Sequence, residues 1–369
     1  MASKDVAEHY NNVRQEGLGV RSQSRIYYQR NLNNWLKSEL INKAVSLLSS
    51  DKVRVLDIGC GKGGDLRKWQ FKACSMVLAD VADVSIEQAR SRYEENKLKR
   101  QTDIPIQFIV ADCCKVDLAP LIEDKTSFDI VSCQFSLHYS FINEESARCF
   151  LKNCTQNLKP GGLFIGTLPD AERIVWAARE NDGEYKTAVC SVTFENKEEM
   201  KGQPPLFGSM FHFSLDSQVN CPEFLAYFPL LQQLLSEMDM ELVFMYRFPE
   251  AIEQWREQGR GLMGRMSALE AFPPSEGVKL AGKEEEYESA TKFLADLTSE
   301  KRSVGTLSQS EWETVCMYLA FAFRKKGGER MEDSPLKRKT NEDTHLAHAE
   351  SDTPSEKKTK LDEETEADE

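Results

Sequence analysis

The spacing of apolar positions along the chain changes from helical to alternating and back. Ile26, Tyr27, Leu32, Trp35, Leu36, Leu40 and Ile41 recur three to five residues apart with polar residues between them. That spacing predicts an amphipathic helix within a helical segment over residues 1–50. From Lys52 to Leu168 short apolar runs then alternate with longer amphipathic stretches. Val53–Ile58, Ser75–Ala79, Ile106–Ala111, Phe128–Cys133 and Leu163–Leu168 are read as strands. Asp65–Lys72, Ser85–Lys99 and Glu144–Leu158 are the helices between them, and Lys159-Pro160-Gly161-Gly162 is a turn that stops the last one. Strands and helices in alternation call for a parallel sheet covered on both faces.

Over about 187–221 the period shortens again. Ala188–Glu195 and Met210–Leu215 read as antiparallel strands, a small sheet inserted into the alternating pattern. A helix over Glu223–Met238, a sixth strand over Glu241–Arg247, helical segments through roughly 250–296 and a seventh strand over Val315–Arg324 follow. The expected fold is α/β: a doubly wound, mostly parallel seven-stranded sheet over 51–326, Rossmann-like, with a small antiparallel insertion. Residues 327–369 carry few large apolar side chains and should be a disordered tail. The N-terminus shows no secretory signal, and no apolar run reaches the roughly 20 residues of a membrane span, so no membrane association is expected.

Charge refines this division. The chain of 369 residues has a formal net charge of −13. The tail from Gly327 holds 7 Lys/Arg and 14 Asp/Glu, leaving 40 against 46 elsewhere. Half of the acidity is therefore in the tail, and the folded part remains open to an anionic partner through a local basic patch. Within the tail, Lys337-Arg338-Lys339 and Lys357-Lys358-Thr359-Lys360 are separated by 17 residues, the pattern of a bipartite nuclear import signal read by an import receptor. The ten cysteines are scattered, with no CxxC pair, so reduced thiols and no metal are expected.

Val55-Leu56-Asp57-Ile58-Gly59-Cys60-Gly61-Lys62-Gly63-Gly64 is a strand entering a glycine loop. Glycines let the backbone approach a ligand, and the next helix offers free N–H groups. Asp57 two residues before the first glycine, and the Asp-x-Gly-x-Gly-x-Gly order, favour S-adenosylmethionine over a dinucleotide. Asp80 at the end of the second strand suits ribose hydroxyls, and Asp112 at the end of the third suits the adenine edge. Each acid alone is better explained as a strand-end cap; three after successive strands are better explained as ligands.

Three further stretches narrow the family: Asn31-Leu32-Asn33-Asn34-Trp35-Leu36-Lys37, the glycine loop through Leu66, and Ser132-Cys133-Gln134-Phe135-Ser136-Leu137-His138-Tyr139-Ser140-Phe141. Together they resemble the messenger RNA cap guanine-N7 methyltransferases of eukaryotes, near the animal nuclear enzymes, over residues 5–326. The resemblance implies a class I S-adenosylmethionine-dependent enzyme of the nucleus, acting on 5′-capped RNA. Lys37 and Gly59 would lie near the methionine end of the donor, Asp80 at its ribose and Asp112 at its adenine, with Gln134 and Tyr139 closing the pocket. Asn33, Asn34, Lys62, Lys68 and Arg92 would lie near the cap phosphates and first nucleotides, and His138, Glu223 and Tyr318 around the guanine. Vertebrate members work with a small activating subunit. The resemblance therefore leaves room for such a partner, and for the transcription and capping machinery.

The residue types suit those roles. Lys62, Lys68 and Arg92 are cations near a polyanionic triphosphate, though Lys68 and Arg92 taken singly read as solvated helix residues. Glu223 can accept from guanine N1–H and its amino group, while His138 and Tyr318 offer flat faces. Guanine N7 has a free lone pair, so in-line methyl transfer needs no general base, and positioning carries the catalysis. Two alternatives remain: another class I methyltransferase with a small-molecule or other nucleobase acceptor, and a non-catalytic cap-binding scaffold.

Overall fold

A computed structural model describes residues 11, 22–50, 52–99, 103–216, 218–297 and 303–327. The expectations for most of the first 21 residues and for the tail, including both basic clusters, lie outside the described residues.

The N-terminal periodicity forms α1 (Tyr27–Ser46), which buries Leu32, Trp35, Leu36, Leu40 and Ile41 completely. The alternating region gives β1 (Val53–Ile58), the single-turn α2 (Leu66–Trp69), β2 (Ala73–Asp80), α3 (Asp83–Leu98), β3 (Ile106–Val110) and β4 (Phe128–Gln134). A 3-10 turn over Leu137–Ile142 leads to α4 (Glu144–Thr155), β5 (Leu158–Pro169) and α5 (Ala171–Glu180). The inserted sheet holds β6 (Glu184–Lys186), β7 (Cys190–Thr193), β8 (Met210–Leu215) and β9 (Val219–Phe224), with the short α6 (Lys197–Lys201) between β7 and β8. Next come α7 (Phe228–Ser236), β10 (Met240–Arg247), α8 (Phe248–Arg265), β11 (Glu270–Phe272), α9 (Glu288–Asp296), β12 (Val304–Thr306), α10 (Gln309–Val315) and β13 (Tyr318–Lys325).

Seven strands form the main sheet in the order β10-β13-β5-β4-β1-β2-β3, with β13 antiparallel to both its neighbours and the other six running in one direction. Period-two alternation sends Val53 and Val55 into one core and Leu56 and Ile58 into another. Both faces are thus covered, as a doubly wound sheet requires. Strand order reverses between β1 and β4, and ligands of such sheets bind at the C-terminal strand ends beside that switch point.

The structure alters four readings. The stretch Lys159–Gly162 does not separate helix from strand; it bulges within β5, where Leu158 pairs with Phe128 but Leu163 pairs with Ile130. Gly161 takes a φ of +80° in that bulge. Glu223 lies on β9, opposite Phe211, rather than on a helix. Val315 ends α10, so the last strand starts at Tyr318. The region read as helical through 250–296 also contains β11, paired with β12 some thirty residues later.

Helix α1 is held against α8 by close backbone approach. Trp35 Nε1 donates to the carbonyl of Gly259 at 3.0 Å. A Cβ on Gly259 would lie 2.8 Å from the Trp35 ring and 2.9 Å from the Glu39 carboxyl. This contact sets where Asn33, Asn34 and Lys37 stand relative to the sheet.

Candidate functional site

At the end of β1 the glycine loop turns back beside β2. Gly59 N–H donates to Ala79 O at 2.8 Å, with φ of +70°, +49° and +65° at Gly59, Gly61 and Gly63. These are left-handed values that glycine adopts without steric cost. A Cβ on Gly59 would come within 2.1 Å of Ser136 Oγ, the residue two past β4. At Gly61 and Gly64 a Cβ would meet nothing within 4 Å. The loop is therefore packed against β4 on one side and open on the other.

Asp80 clasps this loop. Its Oδ2 accepts from Gly61 N–H at 2.8 Å and its Oδ1 from Ala82 N–H at 2.9 Å. Burial pushes its carboxyl up, against the pull of those backbone bonds. A carboxylate has about four lone-pair positions, so acceptor capacity remains for hydroxyls. Asp112 accepts from Cys114 N–H at 3.1 Å and pairs with exposed Lys115 at 2.7 Å. Gln134 is spent within the sheet, donating to Ser132 Oγ and accepting from Thr167 Oγ1, both at 3.1 Å. It forms wall rather than ligand hook.

A buried charge cluster lies under the loop. Asp65 Oδ1 takes Lys37 Nζ at 2.8 Å and Lys68 Nζ at 2.7 Å. Burial alone would raise the Asp65 carboxyl, but the two ammonium groups hold it well below the carboxylate range. Asp57, 2% exposed near the end of β1, makes no ion pair among the described residues, and Lys37 and Lys68 act on it only from further off. Burial first, then the Asp65 charge, pushes it up to about 8. The two neighbouring acids are thus held in opposite directions, Asp65 down by its lysines and Asp57 up by burial. Lys37 also lies 6.0 Å over the ring of Phe135.

The other half of the site is aromatic and polar. Phe135, just past β4, holds a φ of +57°, a strained value for a side chain of that bulk. Its ring meets Tyr318 edge-on at 5.1 Å and Phe248 at 6.0 Å. In the 3-10 turn, Tyr139 donates to Glu223 Oε1 at 3.3 Å and touches Cys221 Sγ at 3.5 Å. His138 Nε2 stands 3.4 Å from Glu223 Oε2, within ion-pair distance but outside hydrogen-bond geometry. Both His138 ring nitrogens are buried without a hydrogen bond among the described residues, and Glu223 is 5% exposed. Buried polar atoms are rarely left unsatisfied, so these are candidates to meet a ligand.

The remaining cap candidates divide. Arg92 donates to the Lys62 carbonyl at 2.5 Å, joining α3 to the loop, and Asn33 Oδ1 is buried with no partner. Asn34 and Lys68 are tied to each other at 3.0 Å. Tyr139, placed by resemblance with the cofactor group, has its hydroxyl on Glu223. The contacts Asp80–Gly61, Gly59–Ser136, Phe135–Tyr318 and Tyr139–Glu223 join both groups along the C-terminal edge of the sheet. A cleft of about 550 Å³ lined by Arg179, Asp182, Lys197 and Lys201 contains none of these residues.

Sequence reasoning left Asp65, Phe135 and Cys221 out of the site. Asp65 had a readable signal, an acid three residues before Lys68 at the loop's exit. The other two depend on folding, through a backbone conformation and a strand pairing.

The residues fit S-adenosylmethionine: a glycine loop open on one side, an acid clasped at β2, and lysines beside a buried carboxylate. Comparison with known proteins agrees. Residues 1–326 match the family model for the mRNA (guanine-N(7))-methyltransferase domain. The mRNA cap guanine-N(7) methyltransferase of Caenorhabditis elegans is 54% identical over 347 residues, covering 91% of this chain and 90% of that one. The Drosophila melanogaster enzyme of the same name is 38% identical over 335 residues, covering 87% of this chain and 76% of its own. An Arabidopsis thaliana relative, mRNA cap guanine-N(7) methyltransferase 1, is 33% identical over 334 residues, covering 88% and 82%.

Proposed function

The chain belongs to the mRNA (guanine-N(7))-methyltransferase family, and from that premise we propose how its residues divide the work. It is an enzyme that methylates N7 of the guanosine cap of messenger RNA, with S-adenosylmethionine as donor. When bound, the donor supplies a sulfonium methyl group; the chain supplies place and field.

On the donor side, Gly59 and the open face of Gly61 and Gly64 give the main chain close approach. Asp80 receives the ribose hydroxyls, Asp112 the adenine edge, and Lys37 the methionine carboxylate. Gln134 seals the floor through its bonds to Ser132 and Thr167. On the acceptor side, Glu223 takes guanine N1–H and the amino group. His138 gives its unspent nitrogens to the cap, Tyr139 orients the Glu223 carboxylate, and Tyr318 provides a flat face. Lys62, Arg92 and Asn33 meet the phosphates, with Asn34 and Lys68 behind them.

Guanine N7 brings its own lone pair, so no side chain has to remove a proton. The chain's task is alignment, worth roughly 7–11 kcal/mol for well-oriented reactants. The observation that carries this reading is a buried carboxylate, Glu223, beside two unpartnered imidazole nitrogens. His138 sits in the 3-10 turn just after β4, two residues past the Ser136 that packs against Gly59. The test is methyl transfer from labelled S-adenosylmethionine to GpppA- and GpppG-capped RNA, uncapped RNA and N7-methylated cap. Transfer confined to the unmethylated caps is expected; equal transfer to uncapped RNA overturns the reading.

The tail clusters Lys337-Arg338-Lys339 and Lys357–Lys360 serve nuclear import on this reading, matching a reaction on nascent transcripts. A reporter carrying residues 327–369 should accumulate in nuclei, and alanines at both clusters should abolish that. Unchanged accumulation of the alanine form removes the assignment.

A further inference from the structure

The inserted sheet carries Glu223 on one edge strand and a cationic cleft beside the other. Its strands lie in the order β6-β7-β8-β9. Glu223 on β9 is opposite Phe211 on β8. The Phe211 ring lies 5.6 Å from that of Phe194, just past β7. Phe194 N–H in turn donates to the carbonyl of Gly183, just before β6, at 3.0 Å. Glu223, Phe211, Phe194 and Gly183 thus form one row across the sheet. Three strand spacings of about 4.8 Å put Gly183 roughly 14 Å from Glu223.

Gly183 lines the cleft of about 550 Å³ between the end of α5 and α6, where three lining side chains are cations and one is an anion. The whole chain carries −13, so this is a local reversal of sign. Gly183 holds a φ of +83°, and a Cβ there would lie 3.0 Å from Lys197 Cγ. The bare glycine lets the Lys197 stem lie against the turn. Arg179 donates to Gly202 O and closes the opposite wall. The carbonyls ending α5 are already engaged, Ala177 O by Asn181 Nδ2 at 2.8 Å and Ala178 O by Gly183 N–H at 2.7 Å. They leave little of the helix's negative end to repel an anion. The nearby acids compete weakly, since Lys197–Asp182 at 3.5 Å and Lys201–Glu198 at 2.6 Å are exposed pairs. Beside the cleft, α5 shows Arg173, Trp176 and Arg179 three residues apart on its exposed face. Trp176 is 55% exposed, with the Arg173 guanidinium 5.2 Å from its ring.

We propose that this cleft and Trp176 form a track for the transcript beyond its cap. Arg179, Lys197 and Lys201 meet phosphates of the single strand, and a base stacks on Trp176. A cationic groove beside an exposed aromatic ring holds single-stranded RNA without reading its sequence. The proposal rests on the reading that Glu223 receives the guanine, which fixes where the transcript starts.

The test compares the cap dinucleotide GpppG with an unstructured capped RNA of about 16 nucleotides, the upper end of a single-strand site. In the whole protein, the triple variant Arg179→Gln, Lys197→Gln, Lys201→Gln should bind the longer RNA about tenfold more weakly at low salt. Its slope of log K against log salt should flatten by about 2, the single-strand value for three phosphate contacts. Trp176→Ala should also weaken the longer RNA about tenfold, with the slope unchanged. KM for GpppG, too short to reach the cleft, should stay at the wild-type value in both variants. Lys197→Arg with Lys201→Arg keeps the charge and should keep the affinity. Unchanged affinity and slope in the triple variant overturn the track. If that variant instead speeds proteolysis of residues 327–369, the acidic tail occupies the cleft and RNA does not. Equal losses for both substrates mean a damaged pocket and also overturn it. Wild-type GpppG turnover in Glu223→Gln refutes the guanine placement, a failure that the cleft variants do not produce.

Discussion

The donor and acceptor halves of the site are built from different material. Around Gly59–Gly64 the contacts are made to main-chain N–H groups and are already complete: Gly59 N–H to Ala79 O, and the Asp80 carboxylate to Gly61 and Ala82 N–H. Around Glu223 they are side-chain and incomplete, with two imidazole nitrogens of His138 unpartnered. The donor half is a mould whose shape exists before any ligand arrives. The acceptor half is a set of buried polar groups whose bonds, on the proposed reading, the base would complete. A mould fails by steric intrusion; an incomplete network fails by losing one partner.

Crossed variants test this contrast most strongly. Gly59→Ala forces a Cβ to within 2.1 Å of Ser136 Oγ at a φ of +70°. It should weaken S-adenosylmethionine binding about a hundredfold, since overpacking and left-handed strain each cost about 1–3 kcal/mol. Glu223→Gln keeps the shape of the acceptor half but turns one acceptor into a donor. Donor affinity should be unchanged, and kcat/KM for capped RNA should fall about tenfold to a hundredfold. A loss of donor affinity in Glu223→Gln would break the separation between the halves.

A smaller effect sharpens the donor side. Asp57 is raised from its ordinary value to about 8, so the folded protein holds a proton that the unfolded chain releases near pH 4. Stability from this group is full below pH 4 and is lost as pH rises through 8. Thermal unfolding without ligand should therefore fall more steeply between pH 5 and pH 8 for wild type than for Asp57→Asn. The difference in slope approaches one proton, about 1.4 kcal/mol per pH unit. Parallel profiles would show that Asp57 is ionised in the fold.

The donor half was legible because it is local in sequence. Gly59, Asp80 and Asp112 each follow a strand whose apolar run marks its end, and the structure puts them at strand ends. The acceptor half was legible only by resemblance. Pro222-Glu223-Phe224 has the proline that starts many helices, yet its place is decided by pairing with Met210–Leu215. That pairing buries Cys221 and Glu223 on one face. Likewise β11 spans three residues and exists only because Val304–Thr306 returns to it. Asp65 was passed over because a helix-start acid is ordinarily explained by the helix itself. Its two lysines come from residues 37 and 68, and only the fold brings the first of them to it.

The order of strands in the main sheet also has a consequence for synthesis. β13 is the last strand among the described residues, but it lies between β5 and β10. Until it emerges from the ribosome, β5 has a bare edge and β10 has no sheet to join. The donor loop and β4 are complete by Gln134, whereas Tyr318 and the closing strand follow 184 residues later. At 5–20 residues per second this interval is on the order of 10–40 s. Throughout it, a hydrophobic strand edge is exposed in the nascent chain. A ribosome stalled anywhere between those points would hold a glycine loop without Tyr318 and the closing strand. Demand for chaperones should therefore be concentrated in the second half of translation.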